Sequence, residues 1–302
     1  MNDEVPIFNI ERFAIHDGHG IRTTIFFQGC PLKCEWCANP ESQRIARQLM
    51  FLVKKCVGCG CCVKSCPQRA ISLDEGKASI DRKQCICCGT CECVCLNEAM
   101  EIIGEKRSLS AIYDLVMRDK DYYEKTGGGV TLSGGEAMLH IFSIKPLLEK
   151  FRESNVHIAA ETCGNVKKEN IKAAFPLVNV FLFDIKTLDG KKIQKYTGGD
   201  LNLILDNFSY IAAYNPDKLI IRVPVLPNVN DKESDIREIF SLALSSKVKR
   251  VDLLPYHTLG LTKYKQLGLP YKFSCHESMK TEKLLPLKKL GEEMGLKVGI
   301  GG

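Results

Sequence analysis

The chain has 302 residues, 45% of them hydrophobic, which suits one large core or a core with a small appendage. It carries no long uncharged apolar run and no basic-then-apolar leader, so a membrane partner and secretion are not expected and the cytoplasm is. The formal charge of +6 does not indicate a nucleic-acid partner, because its lysines and arginines fall in short surface-type groups and bound metal clusters would offset most of it.

In chain order, the first clear pattern is a short strand at 24–27. It runs directly into Cys30-Pro-Leu-Lys-Cys34-Glu-Trp-Cys37. Three thiolates on one tight turn leave one iron of a four-iron cubane without a protein ligand, open to a substrate or cofactor. The competing reading is a zinc site with a distant fourth ligand such as His16 or Cys163. Trp36, beside Cys37, is placed to stack on a bound purine, to pack into the interior, or both.

Fourteen of the sixteen cysteines precede residue 96, and only Cys163 and Cys275 follow. With Cys-x-x-Cys spacing, this favours metal ligation in a reducing compartment over a disulfide scaffold. From 56 to 99 the chain is dense in Cys, Gly and Pro and poor in large apolar side chains, so it needs metal to fold. Cys56, Cys59, Cys62 and Cys66 form one run, and Cys85, Cys88, Cys91 and Cys95 repeat its spacing. This is the two-cluster ferredoxin repeat, in which the fourth cysteine of each run ligates the other cluster. Cys61, Cys87 and Cys93 fall between ligand positions and are read as non-ligating.

After this segment, helix and strand patterns alternate. Helices are expected at Leu109–Met117, 144–151, 234–244 and 284–294. Strands are expected on entry from Gly127 to Ser133, then at 156–161, Val180–Asp184, 218–223 and 248–254. With the opening strand there are about six parallel β/α units, too few for a closed eight-strand barrel. The expected fold is α/β: a partial (β/α)6 TIM-like barrel with an inserted bacterial-type 2[4Fe-4S] ferredoxin domain. The expected division is 1–50 and 103–302 for the barrel and 51–102 for the insert. Polar residues stand at the strand ends, namely Ser133 to Glu136, Glu161 and Thr162, Asp184 and Lys186, Arg222, Asn228 and His257. That places function at the barrel's C-terminal rim.

The chain resembles the radical S-adenosylmethionine enzymes, specifically glycyl radical enzyme activating enzymes that carry a two-cluster ferredoxin insert. The resemblance rests on Asp17-Gly-His-Gly-Ile-Arg-Thr23, on the segment from Phe27 through the three cysteines to Asn39-Pro-Glu-Ser42, and on Thr131-Leu-Ser-Gly-Gly-Glu136. It extends to Phe183-Asp-Ile-Lys186 and Leu253-Leu-Pro-Tyr-His-Thr-Leu-Gly260. His19 departs from it, standing where the family usually has proline.

The resemblance implies S-adenosylmethionine and three [4Fe-4S] clusters as cofactors. The methionine moiety would chelate the open iron. Gly134, Gly135 and Glu136 match the segment that receives its amino group, and Lys186 matches a carboxylate-binding lysine. Glu161, Thr162 and Asp184 match positions near that amino group or around a monovalent cation, and His257 matches a contact to the nucleoside. The implied activity is reductive cleavage of S-adenosylmethionine and abstraction of a glycine Cα hydrogen on a partner glycyl radical enzyme. Electrons would come from a flavodoxin or ferredoxin. Two rival readings stand beside it: a radical enzyme that modifies a peptide or small molecule, which would use the same three cysteines, and a multi-cluster electron carrier, which would need neither them nor the barrel.

Overall fold

The computed structural model describes residues 3–301. The chain opens with β1 (Glu4–Ala14), β2 (Arg22–Phe27) and β3 (Gln48–Phe51). The helical turn α1 (Cys61–Ser65), β4 (Ile71–Asp74), β5 (Lys77–Ile80), the turn α2 (Thr90–Cys93), β6 (Met100–Ile103) and β7 (Glu105–Ser108) follow. Next come α3 (Leu109–Met117), α4 (Lys120–Thr126), β8 (Gly129–Gly134), α5 (Ile141–Glu153), β9 (His157–Thr162), α6 (Lys168–Ala174) and β10 (Val180–Asp184). The last part holds α7 (Gly190–Thr197), α8 (Leu201–Tyr214), β11 (Leu219–Val225), α9 (Glu233–Ser245), β12 (Arg250–Pro255), α10 (Leu259–Leu267), α11 (Leu285–Glu293) and β13 (Lys297–Ile300).

One sheet runs in the order β13-β12-β11-β10-β9-β8-β2-β1-β7. From β2 to β13 every neighbouring pair is parallel, in strict chain order. β1 and β7 extend the β2 edge antiparallel. Among the described residues β13 does not pair with the β7 end, so the barrel is open. The seventh parallel strand, β13, exceeds the six expected, and β1 was not anticipated at all. β1 pairs with β2 through two register irregularities, and beyond Ile7 most of its side chains reach solvent. Its apolar alternation is therefore too broken to read as a strand.

The parallel strands carry two chemistries on alternate residues. In β11, Leu219, Ile221, Val223 and Val225 are buried against the helix layer, while Ile220, Arg222 and Pro224 turn toward the lumen. The helices answer with apolar stripes, such as Ile144, Leu147, Leu148 and Phe151 on α5 and Ile236, Ile239, Phe240 and Ala243 on α9. The outer face thus makes the core, and the lumen is left free for polar groups. Two helices that sequence periodicity did not reveal, the short α7 and the 14-residue α8, lie between β10 and β11 in the chain. Their starts are fixed by Asp189 and Asp200, whose carboxylates accept from amides of the first turn.

The lower end of the lumen is plugged by the Asp17–Arg22 motif. The fully buried Arg22 guanidinium donates to Thr131 Oγ1 at 2.6 Å, to the Val130 carbonyl at 2.6 Å and to the His19 carbonyl at 3.0 Å. Asp17 accepts from Thr24 Oγ1 at 2.7 Å. Gly20 takes φ +72, and a Cβ there would lie 2.5 Å from the Gly128 nitrogen, so this turn requires glycine.

Between β3 and β6 lies the insert, closed at its base by antiparallel pairing of those two strands. It has its own small core of Leu49, Ile71, Ala78, Ala99 and Met100 mixed with cysteines.

Beneath the β1–β2 hairpin, Asp119 is 1% exposed. It accepts from Arg12 Nε at 2.8 Å and from Thr23 Oγ1 at 3.1 Å, and Tyr123 donates to Thr23 at 2.6 Å. The Arg12 hydrogen bond holds the Asp119 carboxyl below its ordinary 3.8. A depressed carboxylate adds stability above its unfolded value and loses it as the pH falls. Asp119→Asn is expected to cost about 2 kcal/mol at neutral pH. In urea unfolding the gap between variant and wild type should close below the ordinary carboxylate range, and a gap independent of pH would exclude the ion pair as its source.

Candidate active site

The strand ends converge on a cavity of about 230 Å³ at the C-terminal rim. Cys30, Cys34 and Cys37 border it together with Gly134, Gly135, Glu161, Thr162, Asp184 and Lys186. Trp36 and His257 border it as well. Eleven of the twelve residues singled out around the three-cysteine loop thus border one space, though they lie up to 227 positions apart in the chain.

The cysteine loop is held by backbone hydrogen bonds. Gly29 donates to the Ser42 carbonyl at 2.6 Å, Lys33 to the Thr197 carbonyl at 2.7 Å and Glu35 to the Tyr196 carbonyl at 3.1 Å. The end of α7, invisible in the sequence pattern, is therefore the shelf on which the loop rests. From the other side Gly135 donates to the Phe27 carbonyl at 2.9 Å and Glu136 to the Gly29 carbonyl at 2.8 Å. A Cβ on Gly134 would lie 2.3 Å from the Phe27 nitrogen, and one on Gly135 2.3 Å from the Gly29 oxygen. The glycine pair lets two backbones meet, in addition to leaving the cavity wall bare of side chains.

Glu136 does not border the cavity. It is 1% exposed, and its carboxylate accepts from Thr162 Oγ1 at 2.9 Å, the Cys163 amide at 2.8 Å and the Met138 amide at 3.1 Å. It braces the end of β8 against the end of β9 from behind the wall. Asn207 of α8 fastens the same loop, donating to the carbonyls of Gly164 and Val166 at 2.8 and 2.7 Å.

Lys186 Nζ donates to Asp184 Oδ2 at 2.7 Å. Burial opposes the ammonium charge, but Asp184 and the Cys34 sulfur outweigh it and keep Lys186 protonated. The rim thus presents a cation beside the thiols. Burial pushes the Cys37 thiol up to about 11, so a free thiolate is disfavoured there unless a metal takes the charge. Burial also lowers the His257 pKa, leaving its imidazole neutral.

Trp36 meets Phe273 edge-on at 5.5 Å and Tyr196 at 6.1 Å, so it both packs and faces the cavity. Tyr256, which the sequence did not flag, also borders the cavity, as does Cys163, whose place after Thr162 already put it at the rim. Asn228 lies outside the cavity, in a turn after β11 with φ 65. Arg222 stands lower in the lumen and donates to Glu161, whose other oxygen accepts from Ser133.

The insert holds two further cysteine-lined hollows. The first is bordered by Cys56, Cys59, Cys62 and Cys95, and the second by Cys66, Cys85, Cys88 and Cys91. The fourth cysteine of each run has crossed to the other set. Two matching contacts support the symmetry: Ala70 N–H points at Cys66 Sγ at 3.3 Å, and Ala99 N–H at Cys95 Sγ at 3.2 Å. Cys61 borders the first hollow and Cys87 the second, while Cys93 borders neither.

Residues 51–72 match the family described as 4Fe-4S binding domain. The chain is 38% identical to the trans-4-hydroxy-L-proline dehydratase activating enzyme of Clostridioides difficile, over 98% of this chain and 99% of that one. It is 40% identical to the choline trimethylamine-lyase activating enzyme of Oleidesulfovibrio alaskensis, over 88% and 87% of the two chains. A radical SAM methyltransferase from Sphaerobacter thermophilus has a similar fold, with a TM-score of 0.54 at 12% identity over 99% of this chain and 74% of that one.

Arg222 and Glu161 have side chains only 12% and 26% exposed. Arg222→Met should leave a buried carboxylate unpaired and cost about 3 kcal/mol in anaerobic urea unfolding. Adding Glu161→Gln should recover most of that loss. A double variant no more stable than the single one would mean that the pair is not the source of the loss.

Proposed function

The chain belongs to the glycyl radical enzyme activating enzymes of the radical S-adenosylmethionine superfamily, and we propose that its rim cavity is where S-adenosylmethionine is held and cleaved. It is an enzyme that cleaves S-adenosylmethionine reductively and acts on a partner glycyl radical enzyme. One observation carries the assignment of the site: three thiols of a single loop share a cavity with the Lys186–Asp184 pair and the bare Gly134–Gly135 backbone.

The donor set fits a three-thiolate [4Fe-4S] cluster. Cys30, Cys34 and Cys37 would hold it, and when bound it supplies the one electron that splits S-adenosylmethionine into methionine and a 5′-deoxyadenosyl radical. Lys186 is positioned for the methionine carboxylate. The Gly134–Gly135 backbone offers a contact for the amino group, supported by Glu161, Thr162 and Asp184, among which a monovalent cation could also sit. Trp36 and the neutral His257, which border the same cavity, would contact the nucleoside. Glu136 acts at one remove, by fixing the loop that carries Thr162 and Cys163. No side chain is asked to serve as a general acid or base; the protein's work is to orient the cofactor and exclude water.

The two crossed cysteine sets of the insert fit two four-thiolate clusters, and their role is electron supply. This divides the chain into barrel segments 1–50 and 103–302 around an insert at 51–102. An external flavodoxin or ferredoxin is the proposed reductant, and the reduced thiol chemistry suits the cytoplasm. The two curated relatives match almost equally well yet serve different partners, a dehydratase and a lyase. The likeness therefore supports the shared partner type rather than one substrate.

The decisive experiment is an anaerobic electron paramagnetic resonance spectrum of the reduced, reconstituted protein with S-adenosylmethionine and a candidate glycyl radical enzyme from the same organism. A doublet that collapses to a singlet on α-deuteration of the partner's glycine is expected. Cys34→Ala should abolish 5′-deoxyadenosine formation even in strong reductant, and retained turnover would refute the cluster assignment. Replacing Cys59 and Cys88 together should leave S-adenosylmethionine binding intact while removing activation by a protein reductant. Unchanged activation would rule out the supply role.

A further inference from the structure

The two hollows of the insert do not stand alike toward the barrel. The Cys56/Cys59/Cys62/Cys95 hollow is walled only by insert residues, among them Val57, 64% exposed, and Leu73, 49% exposed. The Cys66/Cys85/Cys88/Cys91 hollow is bordered by Leu49, whose carbonyl accepts a hydrogen bond from Arg82. The Arg82 guanidinium lies within electrostatic reach of Cys85, Cys87 and Cys91, and its other arm donates to the Gln266 carbonyl of α10 at 2.8 Å.

α10 then leads back to the rim. At its start Gly260 is packed so tightly on the three-cysteine loop that a Cβ would lie 2.4 Å from the Cys37 carbonyl oxygen. Lys263 clamps the continuation of that loop, donating to Asn39 Oδ1 at 2.8 Å and to Glu41 Oε1 at 2.5 Å. Tyr264 OH reaches the Cys34 carbonyl at 3.4 Å. Gly260 and Gln266 are separated by about 9 Å along the helix axis. One short helix therefore touches the rim loop at one end and Arg82 at the other.

We propose that α10 and Arg82 form the electron bridge between insert and rim, which makes the Cys66/Cys85/Cys88/Cys91 site the proximal station and the Cys56/Cys59/Cys62/Cys95 site the distal one. The proposal rests on the reading that the insert carries two clusters. A single electron leaves a reduced one-electron carrier protein, which is oxidised. It enters at the distal site, whose described lining holds no residue of the barrel, passes to the proximal site and reaches the rim site, with no bond formed or broken on the way. Arg82 is a positioning residue, whose positive charge favours the reduced form of the proximal site.

The test uses the reconstituted full-length chain with Arg82→Gln and the conservative Arg82→Lys, titrated potentiometrically by electron paramagnetic resonance. Arg82→Gln should make one insert cluster harder to reduce by about tenfold in its equilibrium constant, with Arg82→Lys near wild type. The affected signal should be the one perturbed by Cys88→Ser and not by Cys59→Ser. In the wild type, which needs no change at Arg82, the rim cluster should couple magnetically more strongly to that same signal. A shift in the Cys59-sensitive signal, no shift, or stronger coupling to the Cys59-sensitive signal would overturn the bridge. Iron content separates this from failure of the underlying reading. About four irons per chain instead of about twelve would remove both, whereas a full complement with an unshifted potential removes only the bridge.

Discussion

The seam between the ends of β2 and β8 is the contact on which the site depends. Gly135 and Glu136 donate to the carbonyls of Phe27 and Gly29, which fixes where the chain leaves the sheet and hence where Cys30 begins. The seam is possible only because neither residue 134 nor 135 has a side chain. The Glu136 carboxylate carries the constraint one strand further, to Thr162 and the Cys163 amide. Three adjacent strand ends are thereby locked in register. A buried carboxylate can do this at tolerable cost because its hydrogen bonds replace the water it has lost.

The open barrel follows from the same economy of faces. Alternate residues of each parallel strand supply the apolar outer core, and the helices cover it. The lumen is then released from packing and can carry Arg22 and Thr131 low down, Arg222 and Glu161 midway, and Asp184 and Lys186 at the rim. Each charge among these is paired or multiply hydrogen-bonded, as burial in a low dielectric demands. The result is a polar shaft with its cationic group set beside the thiols.

What the sequence disclosed depended on how local each signal was. The cysteine runs were plain because their ligands repeat within a few residues, and even the crossing of Cys66 and Cys95 could be expected from the repeat. The strands from β8 to β12 were legible because each is a short, mostly apolar run set between helical stretches. β1 was not, since Glu11 and Arg12 interrupt its pattern, nor were α7, which is short, and α8, which follows it closely; both helices begin on lone Asp caps. Lys186, Asp184 and His257 could be gathered to the rim from their places at strand ends, but only the family resemblance gave each a role toward the cofactor, because no spacing rule joins residues from different strands to one ligand. Sequence likewise placed Glu136 in the site region without revealing that it faces away from the cavity, since burial and direction are properties of packing.

Attaching a ferredoxin module to a barrel poses a geometric problem that the paired β3 and β6 only partly solve. A two-stranded stem fixes where the insert starts and ends, but leaves its rotation about the stem free. The described contacts of Arg82 with Gln266, and of Lys263 with Asn39 and Glu41, supply the missing restraint. Both run through α10, the helix that also abuts Cys37. Any tilt of the insert must then be felt by the loop that carries the three rim cysteines. Holding two redox modules at a fixed separation requires that sort of shared, rigid element, because electron transfer weakens steeply with distance while a flexible linker would average over it.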